Sequence, residues 1–315
     1  MTYAGDSLSK GTRISKYLIL LMPASVILLI IPFFRILYVM HVIVLCAIMA
    51  LFSVSWDIIG GLTKQYVFGH TLFFGIGSYV TAFFAHRFFK LHPFLTMPIG
   101  VVVAVGLAFL IGYPCLRLKG HYLALMSLAF SEFFRLVFIG LFNITGGAEG
   151  VYGIPALGDL IFTYYFVIFA LFIIVFGVYR SSSSFFGLIL RAIGDNEDTC
   201  ESIGINTARF KIYSFMISGG IASFAGSLFS CYLSHIEPDM VFSLHKTLEA
   251  IAYCILGGSG TIVGPVIGAF VLLPVSEIMR AIAESYRVLT FASALLFMSI
   301  VFPRGIIGTI KKRMH

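Results

Sequence analysis

The sequence predicts an all-α, polytopic integral membrane protein with about ten transmembrane helices (eight to ten). Three observations predict this fold: 59% of the 315 residues are hydrophobic, only 11% are charged, and the mean hydropathy is +1.02. Roughly a quarter of the residues in a soluble domain are charged. This chain lacks the charge to cover a water-facing surface of its size, so its excess apolar surface is expected to face lipid.

Ten apolar segments approach the roughly 20 residues that a spanning helix needs. The third is rich in glycine and the eighth is short, so either is a candidate for a broken or re-entrant helix, which lowers the count to eight or nine. The predicted spans are Tyr17–Phe34, Ile36–Trp56, Tyr66–His86, Pro93–Leu116, Tyr122–Phe142, Leu160–Tyr179, Ile212–Ser234, Leu248–Leu256, Ile262–Ala283 and Val288–Phe302.

The positive charges predict that both chain termini are cytoplasmic. With ten spans and the N-terminus inside, 14 Lys and Arg residues fall on cytoplasmic segments and six on outer segments, which is the bias that membrane proteins show. The chain then divides into a cytoplasmic tail at 1–16, a transmembrane domain at 17–302 with a cytoplasmic loop at 180–211, and a basic cytoplasmic tail at 303–315. Because the net charge of +7 is spread between apolar runs, it does not indicate a nucleic-acid partner.

Glycines recur in a similar order in the two halves of the sequence. Paired glycine-interrupted segments are typical of duplicated transporter folds, although glycine also serves close helix packing in membranes. The pattern is therefore consistent with two duplicated halves and equally with plain packing. The glycines concerned are Gly60, Gly61, Gly69, Gly75 and Gly77 in the first half, and Gly257, Gly258, Gly260, Gly264 and Gly268 in the second.

The segment from Arg180 to Lys211 is the one substantial polar connection. Residues 195–198, with three carboxylates and an asparagine, favour a helix start, because such side chains stabilise the free amides at a helix N-terminus. Gly204 suits the position just past a helix end. We therefore predict one short surface helix here, either a connector or a contact for a soluble partner. Its candidate residues are Arg191, Asp195, Glu197, Asp198, Glu201 and Gly204.

The sequence contains no recognisable catalytic or ATP-binding motif. It lacks the GxxxxGK[ST] phosphate loop and the HExxH and GxSxG patterns. Its five cysteines show no metal-ligand spacing such as CxxC. We therefore expect no catalytic residues, no metal and no cofactor bound by this chain, and no enzymatic activity. If the chain moves a solute uphill, the energy comes from an ion gradient or from another subunit.

Glu132 and Glu277 lie inside predicted spans, and each has an arginine three residues later, Arg135 and Arg280 respectively. This spacing places both partners of a pair on one helix face. Glu132 and Arg135 are candidates for a gate or a lining of a solute pathway. The alternative, which we favour, is an internal ion pair that makes two costly intramembrane charges tolerable.

Other candidate pathway residues are polar or glycine positions near the ends of spans. His70 is a candidate pore residue or a buried, hydrogen-bonded histidine. The outer loop that contains Thr145 is a candidate contact for a delivering protein or substrate, or a plain turn. The set comprises Gly69, His70, Gly75, Gly77, Thr145, Gly146 and Gly147.

Six segments, in this order and over nearly the whole chain, resemble the LivM-type permeases of branched-chain amino acid ABC importers, in the hydrophobic amino acid uptake family. They are GGLTKQYVFGHTLFFGIGSYVTA (60–82), LRLKGHYLALMSLAFSEFFRLVF (116–138), TGGAEGVYGIP (145–155), RAIGDNEDTCESIGINTARFKIYSFMISGGIASFAGSL (191–228), GGSGTIVGPVIGA (257–269) and FPRGIIG (302–308).

This resemblance implies a permease subunit in a bacterial inner membrane, paired with a second, LivH-type permease. It also implies two cytoplasmic ATPase subunits, which use the ATP, and a periplasmic substrate-binding protein. The loop at 191–204 would dock on an ATPase, centred on Glu197, Glu201 and Gly204. Two alternatives stay open: a permease for urea or short-chain amides, and a self-sufficient ion-coupled carrier.

Overall fold

The computed structural model describes residues 37–88, 90–116, 118, 120–282 and 305–306. The predicted spans Tyr17–Phe34 and Val288–Phe302 lie outside these residues, as do the first predicted tail, all of the second tail except residues 305–306, and the Arg280 side chain. The chain forms two compact units, Met1–Val42 and Ile43–His315. Every contact given below lies within the second unit.

The described residues form twelve α-helices and two short strands, with π-helical turns after α1 and α2 and a 3-10 turn after α5. In chain order they are α1 (Leu37–Asp57), a π-helix (Ile58–Leu62), α2 (Thr71–Ala82), a π-helix (Phe83–Phe88), α3 (Pro93–Cys115), α4 (His121–Gly140), α5 (Phe142–Thr145), a 3-10 helix (Gly147–Glu149), β1 (Val151–Tyr152), α6 (Leu160–Ser182), α7 (Phe185–Asp195), α8 (Glu197–Ser202), α9 (Thr207–Leu233), β2 (His235–Ile236), α10 (Pro238–Val241), α11 (Leu244–Gly257) and α12 (Val263–Ile282).

Among the described residues, six helical segments are long and apolar enough to cross a membrane, and two further apolar helices are shorter. All eight predicted spans in this part of the chain are helices, so the protein is a multi-pass membrane protein. The predicted count of about ten is not reached by the described residues. The third span is shorter than predicted, because α2 begins only at Thr71 after a non-helical stretch.

The protein core lies where α1, α2 and α9 cross. In α1 and in α9, 67% of the most apolar stretch is buried inside the chain, against 22% in α4. Close approach of α2 and α9 depends on small residues: Ser78 Oγ donates to the Gly226 carbonyl at 2.8 Å, and Ser227 Oγ donates to the Gly77 carbonyl at 3.1 Å. The peripheral helices α3, α4 and α6 expose large apolar side chains, as surfaces that face lipid or other subunits do.

The all-α expectation needs one small correction. Val151 pairs with Ile236 and Tyr152 with His235 in an antiparallel two-stranded sheet. The sheet joins the segment after α4 to the end of α9. The fold is otherwise helical.

Candidate coupling loop and permeation core

The loop between α6 and α9 holds two helices, so the prediction of one short surface helix is wrong in number. Asn196 separates α7 from α8, because its backbone is extended (φ −158°, ψ 104°). The first helix is strongly amphipathic. Its buried face carries Gly187, Ile189, Leu190 and Ile193, while Phe185 remains exposed.

The predicted start and end of the acidic helix are confirmed. Asn196 caps α8, since its side-chain oxygen accepts a hydrogen bond from the Thr199 amide at 3.0 Å. Glu197 and Asp198 lie in the first turn, where carboxylates are favoured by the helix dipole. Past the last turn, Gly204 adopts a left-handed conformation (φ +86°), and the Ile205 amide donates to the Cys200 carbonyl at 3.0 Å.

The two glutamates of α8 contact the first turns of α9. Lys211 Nζ donates to Glu197 Oε1 at 2.5 Å, and Thr207 Oγ1 donates to Glu201 Oε1 at 2.6 Å. Lys211 is only 1% exposed. The sequence placed Lys211 in the cytoplasmic segment before a span; the structure instead buries it in the first part of α9.

A second contact joins the loop to the non-helical stretch after α1. Lys64 Nζ donates to Asp195 Oδ1 at 2.7 Å, with both side chains largely exposed. A Cβ at Gly194 would lie 2.5 Å from the Leu62 carbonyl oxygen, so glycine is what lets α7 approach this stretch. Arg191, on the same helix, is exposed.

The predicted pair of Glu132 and Arg135 forms, and it is larger than predicted. Arg135 Nε donates to Glu132 Oε2 at 2.7 Å, and Arg135 Nη1 donates to Asp239 Oδ1 at 2.5 Å. Arg135 therefore bridges α4 and α10. The Glu132 side chain is 39% exposed within the chain, on a helix whose surface is mostly uncovered. Asp239 was not a predicted site residue.

His70 is enclosed by protein in the core. Its Nε2 lies 2.9 Å from Ser55 Oγ and 3.3 Å from Ser218 Oγ, and its ring stacks on Phe52 with centroids 5.5 Å apart. Its Nδ1 has no hydrogen-bond partner among the described residues. His70 thus joins α1, α2 and α9 at their crossing.

The candidate glycines Gly69, Gly75 and Gly77 all lie against other parts of the chain. A Cβ on Gly69 would collide with the Ser127 carbonyl, one on Gly75 with the Phe242 ring, and one on Gly77 with the Ser223 carbonyl. Close packing therefore explains why glycine, rather than a larger residue, occupies all three positions. A role for them in a solute pathway stays a prediction.

The loop that contains Thr145 is held by its own hydrogen bonds. Thr145 is buried, and its Oγ1 donates to the Phe138 carbonyl at 2.5 Å and accepts from the Gly147 amide at 3.1 Å. Gly146 and Gly147 both have positive φ (+76° and +64°). The loop continues into β1, so these residues form a built turn next to the two-stranded sheet.

Sequence reasoning missed Asp57, because it ended the second span at Trp56 and counted no acid there. The Asp57 carboxylate is fully buried. Its Oδ1 accepts hydrogen bonds from the Gly260 amide at 2.8 Å and Ser259 Oγ at 3.3 Å, and its Oδ2 accepts from the Ile262 amide at 3.3 Å. It thereby caps the backbone in front of α12. In the sequence, the glycine pairs on either side of this contact are the only indication that the two segments meet.

Comparison with known proteins identifies the family. The sequence profile of the family described as "Branched-chain amino acid transport system / permease component" matches residues 38–302. The high-affinity branched-chain amino acid transport system permease protein LivM of Escherichia coli (strain K12) is 26% identical over 300 residues, which cover 86% of this chain and 70% of the relative. No solved structure matches the chain significantly.

Two further relatives extend the range of similar proteins. The probable branched-chain amino acid transport permease protein LivM of Methanocaldococcus jannaschii is 26% identical over 250 residues, or 73% of this chain and 70% of the relative. The autoinducer 2 import system permease protein LsrC of Yersinia pseudotuberculosis is 29% identical over 152 residues, or 44% of this chain and 43% of the relative. The family profile covers well over half of the chain, and the resemblance seen in the sequence is confirmed: the chain belongs to the family of permease components of branched-chain amino acid transport systems.

Proposed function

We propose that this chain is the permease subunit of an ABC importer that moves branched-chain amino acids across a bacterial inner membrane by alternating access. Its partners are a second, LivH-type permease, two cytoplasmic ATPase subunits and a periplasmic substrate-binding protein. The chain itself has no enzymatic activity and binds no cofactor. Both termini and the loop between α6 and α9 are cytoplasmic.

The observation that carries this proposal is the loop itself. A separately capped helix, α8, lies between two spanning helices and ends at a glycine in the left-handed conformation. The sequence contains no phosphate-binding loop, so ATP energy must reach the chain through a surface. The loop from Arg191 to Gly204 is that surface in this proposal, and the ATPase docks on it.

The outer side of the chain receives the substrate in this proposal. Arg135, with its two carboxylate partners, lies on the largely uncovered α4. A charged group exposed to lipid is costly, so this face of α4 belongs against the second permease or a watery pathway. Substitutions of Arg135 and Glu132 distinguish an ion pair that gates the pathway from one that only stabilises the protein.

The relatives favour amino acids but leave a second class of solutes as a rival. One similar protein is named for autoinducer 2 import rather than amino acid transport, and urea or short-chain amides are further candidates. Competition separates these classes. Excess leucine, isoleucine or valine should abolish uptake of labelled leucine, whereas urea, acetamide and autoinducer 2 should leave it unchanged.

An ion-coupled carrier is the rival mechanism, and Asp57 is the buried acid that such a carrier would use. Its carboxylate is already occupied by three donors from the segment before α12, which favours a structural role. The test is reconstitution of the chain alone with a proton or sodium gradient. We expect no uptake; uptake without any ATPase would contradict the proposal.

A further inference from the structure

Lys211 occupies a position that is unfavourable for a cation on two counts. It lies in the second turn of α9, near the positive end of the helix dipole, and its side chain is 1% exposed. A buried cation is tolerated only when a well-placed anion and further hydrogen bonds compensate its lost hydration. The anionic partner of Lys211 must therefore supply the stabilisation that water cannot provide at this buried position.

That partner comes from the proposed docking helix. Glu197, 17% exposed, accepts the Lys211 hydrogen bond at 2.5 Å, and Glu201, one turn later, accepts from Thr207 at 2.6 Å. Both glutamates of α8 are thus directed at the first two turns of α9. Because these hydrogen bonds lie within the chain, the two carboxylates are less available to bind a partner protein.

A third attachment holds the opposite flank of α8. Cys200 is buried in a small apolar cluster with Ile189 and Ile193 of α7. With α9 on one flank and α7 on the other, the solvent-facing side of α8 carries Asp198 and Ser202, followed by Ile203, which is 71% exposed.

The helix that receives these contacts reaches the core without interruption. Ser218, two turns beyond Lys211, donates to the Ser55 carbonyl at 2.5 Å and contacts His70. Gly226, about two turns further on, accepts from Ser78 of α2. A continuous helix of this kind transmits displacement over its length because it is stiff.

We propose that Glu197 and Lys211 are positioning residues that make α8 and α9 move as one body, so that motion of the docking helix reaches the α1–α2–α9 crossing. The exposed side of α8, at Asp198, Ser202 and Ile203, then meets the ATPase, while the carboxylates of Glu197 and Glu201 accept hydrogen bonds from α9. This inference rests on the proposed function, because it assumes that α8 meets an ATPase. It predicts uncoupling: when the pair is broken, ATP is still hydrolysed but solute does not move.

The test uses the complete complex, reconstituted in proteoliposomes with the second permease, the ATPases and the substrate-binding protein. Three quantities are measured for each variant: co-purification of the ATPase, ATP hydrolysis, and leucine uptake. For Glu197→Gln and Lys211→Met we expect retained co-purification, ATP hydrolysis within threefold of wild type, and at least a tenfold fall in leucine transported per ATP hydrolysed.

The chain provides a matched control. Lys64→Met is the same substitution at a lysine that also pairs with this loop, but its partner Asp195 is exposed and exposed pairs contribute little. We expect leucine transported per ATP to stay within twofold of wild type. The exchanged pair Glu197→Lys with Lys211→Glu keeps both charges, and we expect it to recover uptake to within threefold.

Several outcomes would overturn the inference. An unchanged ratio of leucine to ATP in both single variants does so, as does a proportional loss of hydrolysis and uptake, which is the signature of a purely structural pair. If a single variant fails to accumulate, the exchanged pair decides: failure to restore coupling overturns the inference. A wild-type complex that shows no ATP-driven uptake contradicts the proposed function instead, so the two failures are distinguishable.

Discussion

Asp57 Oδ1 accepts a hydrogen bond from the Gly260 amide at 2.8 Å, which ties the C-terminal end of α1 to the segment in front of α12. A Cβ on Gly61 would lie 2.6 Å from the same Gly260 nitrogen. Two glycine-containing interruptions, about 200 residues apart in sequence, therefore meet backbone to backbone. The carboxylate satisfies amides that would otherwise be unpaired inside the protein.

Replacing Asp57 should destabilise the protein strongly. Asp57→Ala leaves the buried Ile262 amide and the half-buried Gly260 amide without this acceptor, and loss of hydrogen bonds to a charged group costs roughly 1.5–3 kcal/mol. Asp57→Asn retains one acceptor oxygen and should lose clearly less. Thermal denaturation of the purified protein in detergent measures both. Equal midpoints for wild type and Asp57→Ala would contradict the assigned role.

Gly204 should be replaceable by asparagine but not by alanine. Its φ of +86° disfavours a side chain, although a Cβ there would meet open space. The strain of a left-handed alanine is about 1–2 kcal/mol, which is a factor of roughly 5–30 in a local opening equilibrium. Hydrogen exchange of the amides in α8 should rise by that factor in Gly204→Ala.

The asparagine variant is the control for Gly204, because asparagine tolerates the left-handed conformation at helix ends. Exchange in Gly204→Asn should stay close to wild type. Similar exchange rates in the wild-type and alanine proteins would show that the helix end does not depend on this backbone conformation.

Glycines that touch protein and glycines that do not should respond oppositely to alanine. Gly77→Ala forces apart α2 and α9, since the new methyl group would collide with the Ser223 carbonyl. Gly106 lies in α3, and a Cβ there would have no other atom within 4 Å, so Gly106→Ala should stabilise its helix by about 0.5–1 kcal/mol. The yield of monodisperse protein and its thermal midpoint should fall for the first variant and hold or rise for the second.

Arg135 should prove structural rather than gating. Arg135→Gln leaves Glu132 and Asp239 without their cation, and a lost hydrogen bond to a charged group costs about 1.5–3 kcal/mol. We expect the thermal midpoint and leucine uptake to fall together, and the double variant Glu132→Gln with Arg135→Gln to recover part of the stability. Normal stability with abolished or unregulated uptake would instead assign the pair to a gate.

Much of this architecture was predictable from local patterns. The long apolar helices follow from the length of their apolar runs, whereas the bounds of the third and eighth predicted spans do not. The ends of α8 follow from Asn196 and Gly204, because capping depends on residues that are close in sequence. The pairing of Glu132 with Arg135 follows from helix periodicity. The helix caps and the ion pair depend on neighbours within about four residues, and each span depends on one continuous apolar run.

The features that the sequence missed depend on partners far along the chain. The hydrogen-bond donors of Asp57 are Ser259, Gly260 and Ile262. The second partner of Arg135 is Asp239. The burial of Lys211 was not predictable from its neighbours in sequence, because it depends on α8 folding back against α9. The strand pairing of Val151 with Ile236 spans two residues on each side, which is too short to leave an alternating pattern.

ATP-driven transport of branched-chain amino acids is tested most directly by uptake of labelled leucine into proteoliposomes. The proteoliposomes hold this chain, the second permease and the ATPases, and the binding protein is added on the side of the membrane opposite the ATPases. We predict uptake that requires ATP on the ATPase side and disappears when the ATPases are omitted, whatever ion gradient is imposed. Leucine uptake that persists without the ATPases, or a complete complex that hydrolyses ATP but carries no branched-chain amino acid, would contradict it.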